Sequence, residues 1–230
     1  MPSPWFTPID NYCERIDAGF WSEPLNALSN GAFILAAIHA LILWGRAGSK
    51  DWASLWLIAV SAVVGLGSFL FHTFADRWSL LADVLPIGVF IYSYFLLAMR
   101  RYLRLRIMIA VGVTVLFAAF NLSFDRLWFG LFPGMTLNGS VGYIPAALAM
   151  LSVGLLCLAG KARQPGRALL LAACTFALSL FFRSIDSAAC ATVPMGTHFL
   201  WHVLNALVLG ILMRAAIAHQ PSERLAHVQR

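Results

Sequence analysis

Five polar side chains set in otherwise apolar stretches of this 230-residue chain have the types and spacing for metal-assisted hydrolysis. His198 and His202 stand at i and i+4, which places both imidazoles on one face of a helix. His72 closes an earlier apolar run, Asp83 opens the next, and Ser68 precedes His72 by one helical turn. Three neutral imidazoles match the ligand set of a catalytic Zn²⁺ that keeps a fourth position for water. A carboxylate beside them, Asp83, can orient or deprotonate that water, while the Ser68 hydroxyl points toward the same cavity. The small residues Gly65 and Gly67 let a neighbouring helix or a lipid tail come close there. A histidine pair alone is weak ground for a metal site, because interfacial and hydrogen-bonded histidines share its spacing. The conjunction with His72, Asp83 and Ser68 carries the reading, and His39, in the far half of its own span, reads as a helix-packing histidine.

The elements that must hold these residues are membrane helices. Hydrophobic residues make up 60% of the chain and charged ones 11%, against roughly a quarter charged in soluble domains, which excludes a soluble globule. A bilayer core takes about 20 apolar residues per helix. Seven such runs fall at roughly 26–45, 53–72, 80–99, 105–123, 140–160, 166–183 and 197–217. The expected fold is an all-α integral membrane bundle of seven helices, one domain over 1–230, with an outer segment at 1–25 and a cytoplasmic tail at 218–230. The first 23 residues lack the basic region and apolar core of a cleavable signal peptide.

Cytoplasmic loops retain Lys and Arg, so their distribution predicts direction. Arg46, Lys50, Arg100, Arg101, Arg104, Arg106, Lys161, Arg163, Arg167, Arg214, Arg224 and Arg230 fall on one side, and Arg15, Arg77, Arg126 and Arg183 on the other. Twelve against four puts the N-terminus outside and the C-terminus in the cytoplasm, with the histidines near the outer (periplasmic or lumenal) surface. That asymmetry absorbs the net charge of +6 and leaves a nucleic-acid partner nothing to explain. Trp44, Trp52, Trp78 and Trp128 near span ends fit an interfacial belt. Cys157 and Cys174 lie within spans, whereas Cys13 and Cys190 share the outer side, where a disulfide persists. The pair is expected to be bonded; two free thiols are the other reading. Arg183 and Asp186, one turn apart, are expected to pair or to close the site, and Pro86 and Pro145 to kink their helices.

The order Ser68-x3-His72, then Asp83, then His198-x3-His202 resembles the signature of the alkaline ceramidase family, within the seven-span transmembrane hydrolases that include adiponectin-receptor-like and GPI-remodelling proteins. Asn11-Tyr12-Cys13-Glu14, and the later stretch from Phe20 through Glu23, Asn26 and Ser29 to Asn30, are similar to that family's Asp-Trp-Cys-Glu and Glu-x-x-Asn-x-x-Ser-Asn. The resemblance implies hydrolysis of the amide of ceramide or a similar N-acyl lipid to a fatty acid and a sphingoid base. It implies that His72, His198 and His202 hold zinc, that Asp83 handles the proton of the water, and that Ser68 stabilises the oxyanion. It further implies a membrane lipid as the partner, with no obligate protein partner evident. A Ca²⁺ site in the N-terminal segment is implied as well. Glu14 and Glu23 match it, Tyr12 stands for a carbonyl-donating Trp, Asp10 neighbours the Asn11 that replaces the family's first Asp, and Asp17 supplies a missing oxygen.

Two other classes compete. A lipid-binding receptor or regulatory protein with weak turnover would share the architecture, and a bis-histidine haem electron carrier would also need intramembrane histidines. Neither needs Ser68 and Asp83, which favours the enzyme.

Overall fold

The computed structural model describes residues 4–48 and 51–220, so Lys50, Arg224, Arg230 and the tail beyond Gln220 lie outside the described residues. The described chain is helical, with no strand among those residues: α1 (Pro24–Ser29), α2 (Gly31–Arg46), α3 (Trp52–Phe74), α4 (Arg77–Arg101), α5 (Ile107–Leu131), α6 (Ile144–Ala159), α7 (Arg163–Ala189) and α8 (His198–Ala218). With α1 and α2 running on as Pro24–Arg46, seven helical segments are long and apolar enough to cross a membrane. Each falls on an expected span. Two run well past the expectation, α5 to Leu131 and α7 from Arg163 to Ala189. Hydropathy stops at charged residues such as Asp125, Arg183 and Asp186, whereas helical hydrogen bonding continues through them.

Leu57, Tyr94, Leu169 and Met213 are among the side chains of the core. Of the residues of α5, only Ala110 is buried. Exposed Leu35, Trp56, Leu116 and Leu122 would face water at great cost, and lipid tails are their natural solvent. His39 lies exposed on α2, not packed between helices, because Phe33, Ala37 and Ala40 form the buried face. Pro145 sits in the first turn of α6, where its missing N–H is harmless, and so starts that helix instead of kinking it. Pro86 does lie inside α4.

The end of the bundle where α3 stops and α8 starts is built by short-range chemistry. Ala75 takes the left-handed conformation (φ +46°) and ends α3. Asp76 then starts α4 through a capping box, its carboxylate accepting from Ser79 N while the Ser79 hydroxyl donates back to Asp76 and accepts from Asp76 N. Asp83 follows about two turns into α4. At Gly67 a Cβ would come within 1.9 Å of the Ala82 carbonyl, so only glycine lets α3 and α4 close up beside Ser68 and Asp83. The N-terminal segment covers this end. Ile9 N donates to Ala75 O at 2.7 Å, and the Cys13–Cys190 disulfide, Cα atoms 5.3 Å apart, ties the segment to the end of α7.

Candidate metal centre

His72 comes from the last turn of α3, His198 is the first residue of α8, and His202 follows one turn on. Each is 1% exposed, and one ring nitrogen from each lies within 4.8 Å of the others. Among the described residues no other three His, Cys, Asp or Glu ligand atoms gather this way.

Hydrogen bonding fixes two of the rings. His72 Nδ1 donates to Glu23 Oε2 at 2.6 Å, so its Nε2 carries the lone pair, and that atom is buried without a partner. The Ser29 hydroxyl donates to Asn26 O at 2.8 Å and therefore accepts from His202 Nδ1 at 2.7 Å, leaving His202 Nε2 free. His198 Nδ1 is also buried and unpartnered, and its ring stacks on Tyr12 with centroids 3.7 Å apart. Buried ring nitrogens without partners, as on His72 and His198, are expensive, and a cation among the three rings would give them one. A carboxylate on the far nitrogen of a ring is the usual support of a metal-binding histidine. The donor set thus fits a metal ion.

Asp186 secures the start of α8. Its Oδ1 accepts from Thr197 N (2.6 Å) and His198 N (2.9 Å), and its Oδ2 from Cys13 N (3.2 Å). Gly196, at φ +66°, permits this turn, since a Cβ there would sit 2.2 Å from Asp186 Oδ1. The expected Arg183–Asp186 pair does not form. Arg183 instead lies over the rings of Tyr12, Tyr143 and Trp201 and donates to the Tyr12 hydroxyl at 3.0 Å. Backbone amides satisfy Asp186 better than a guanidinium pointing off the same helix could.

Ser68 and Asp83 face one cavity with His202. Asp83 Oδ1 is buried and lacks a hydrogen-bond partner. From this polar end the cavity continues between apolar side chains such as Phe90, Met150 and Leu212. His202 to Leu212 spans ~15 Å along α8. A polar group set at one end of a long greasy slot suits a lipid with its reactive bond near the headgroup.

The residues expected around calcium are otherwise engaged. Glu14 accepts from Leu25 N (2.6 Å) and Asn26 N (2.7 Å) at the start of α1, and Asp17 Oδ1 accepts from Gly19 N. Asp10 is exposed, and Tyr12 stacks against the histidines. Glu23 is 2% exposed and bonds Arg15, Asn26 and His72. Burial pushes its carboxyl upward, but the hydrogen bond from His72, with Asn26 and the Arg15 guanidinium, outweighs that and holds it below the ordinary range. For Tyr12 burial dominates and raises the phenol. These side chains do not present open oxygens to a common point, so they do not fit a calcium ion. Sequence reasoning named Ser29 and Asp186 without the roles found here, and missed the bond from Glu23 to His72.

A buried three-histidine cluster that could hold a metal ion lies at one end of a bundle with seven helical segments long and apolar enough to cross a membrane. The family model described as Ceramidase matches residues 9–225, and the chain belongs to that family. Its members are metal-dependent hydrolases that act on the amides of lipids such as ceramide. A search of the curated proteins returned no match.

Proposed function

We propose that this protein hydrolyses the amide of ceramide or a closely similar N-acyl sphingolipid to a fatty acid and a sphingoid base, with zinc held by His72, His198 and His202. The observation that carries the reading is a set of three buried imidazoles, one of which, His202, lines an apolar cavity together with Ser68 and Asp83. Three nitrogen donors with room for a fourth ligand suit zinc. When bound, zinc supplies Lewis acidity and brings the pKa of a water to about 7, which an amide needs in its nucleophile.

The chain's own residues supply the rest. Asp83 Oδ1, with no other partner, accepts the proton as the water oxygen bonds to the amide carbon. The Ser68 hydroxyl donates to the carbonyl oxygen as negative charge builds there. Asp83 then returns the proton to the nitrogen as the C–N bond breaks, so the products are a carboxylic acid and a free amine. The acyl chain lies in the slot toward Leu212, and Glu23 and Ser29 keep the imidazoles aimed.

We read the end carrying the site as the outer one, because Arg46, Arg100, Arg101, Arg104, Arg106, Lys161, Arg163, Arg167 and Arg214 lie at the opposite ends of the helices. Fatty-acid release from ceramide by the purified protein in detergent tests the function. Ceramide binding with no release in wild type would favour the receptor reading.

A further inference from the structure

Residues 1–23 contain four acids and a single basic residue, Arg15, which folds inward. Its side chain is 5% exposed. Each guanidinium nitrogen meets an oxygen: Nε meets Glu23 Oε1, one terminal nitrogen meets Asp17 O at 3.1 Å, and the other meets His72 O at 3.2 Å. His72 O belongs to the last turn of α3, whose carbonyls are the negative end of the helix. One carboxylate oxygen and two backbone carbonyls are hard donors of the type calcium prefers, but three fall short of the six to eight it takes. Here a tethered cation meets them. Neither oxygen of Glu23 is left over, since Oε2 serves His72 and Asn26.

We propose that Arg15 is the built-in cation of this centre, standing where the resembled family implies calcium, and that it makes the protein independent of calcium. Arg15 acts as a positioning residue. It holds Glu23, Glu23 holds Nδ1 of His72, and the relay ends at the ring nitrogen that faces the other two histidines. The guanidinium also bonds the backbone of His72 itself, so it holds the main chain directly and the ring through Glu23. A fixed planar fork is suited to that double hold, whereas lysine would offer a single point charge. The positioning role rests on the proposed zinc centre; the exclusion of calcium does not.

The holoprotein in detergent decides both points. Elemental analysis should find no stoichiometric calcium, and titration with about 1 mM calcium, enough for weak extracellular sites, should leave the melting temperature unchanged. Arg15→Ala should hold zinc about 10- to 100-fold more weakly, the loss usual when the support of a metal ligand is removed. Methylguanidinium should restore it. Arg15→Lys, which keeps the charge, should recover only part. Bound calcium in wild type, or a calcium-dependent rise in its melting temperature, would overturn the proposal. So would zinc held as tightly by Arg15→Lys and Arg15→Ala as by wild type. Absence of amide hydrolysis in wild type would strike the function proposed above while the calcium measurements still decide the role of Arg15.

Discussion

Glu23 Oε2 and His72 Nδ1, 49 residues apart in the chain, meet at 2.6 Å, and this contact determines which nitrogen of His72 is left for a metal. Glu23→Gln keeps the shape but replaces a charged acceptor with a neutral amide beside Arg15. Zinc affinity should fall about 10- to 100-fold, measured by competition with a chromophoric chelator. Unchanged affinity would show that the contact is incidental.

Ser29 plays the same part for His202 through a neutral hydroxyl, and neutral hydrogen bonds are roughly half as strong as charge-assisted ones. Ser29→Ala should therefore weaken zinc binding less than Glu23→Gln in the same assay. The reverse order would contradict the assignment of the two supports.

Asp83→Asn should retain zinc and lower turnover about 10²- to 10⁴-fold, as loss of a proton-transfer group does. Ser68→Ala should lower it about 10²- to 10³-fold, also with zinc retained. Metal content and fatty-acid release measured together check both. If Asp83→Asn releases zinc, Asp83 orients a ligand instead.

The disulfide joins residues 177 positions apart and fastens the segment that carries Glu14, Arg15 and Glu23. Reductant should lower the melting temperature of wild type, and Cys13→Ser should show the lower value with or without reductant. Loss of a native disulfide typically removes about 2–5 kcal/mol. Cys13 of wild type should react with an impermeant maleimide only after reduction.

At the opposite ends of the helices, Arg101 clamps both carboxylate oxygens of Asp51 at 2.8 and 2.9 Å. Burial raises the Asp51 carboxyl, yet Arg101 and Ser54 prevail and lower it below the ordinary aspartate range. A depressed folded pKa contributes stability that is present above the unfolded value, about 3.9, and is lost as pH falls through the folded value. Asp51→Asn should melt below wild type at pH 7, and the gap should narrow only under acid conditions, below about pH 4. A gap that closes already near neutrality would contradict this.

The three histidines and the residues that hold their rings were unequally legible. His72, His198 and His202 stand out because apolar helices tolerate few ionisable groups, and the glycine at 67 announced a close helix approach that Ala82 supplies. Their supports were hidden. Ser29 is an ordinary polar residue at the end of α1 until α8 is laid beside it, and Glu23 suggested a calcium ligand only through the family resemblance. Arg183 and Asp186 suggested an ion pair from their spacing alone. Three backbone amides and three aromatic rings, from segments distant in sequence, take them apart.

The most direct measurement is elemental analysis of purified wild type and His72→Ala, paired with release of fatty acid from ceramide by the same samples. Wild type should carry about one zinc per chain, the content of a single three-histidine site, and should release fatty acid, while His72→Ala should have neither. Full hydrolysis by His72→Ala, or by wild type free of any metal, would contradict the account.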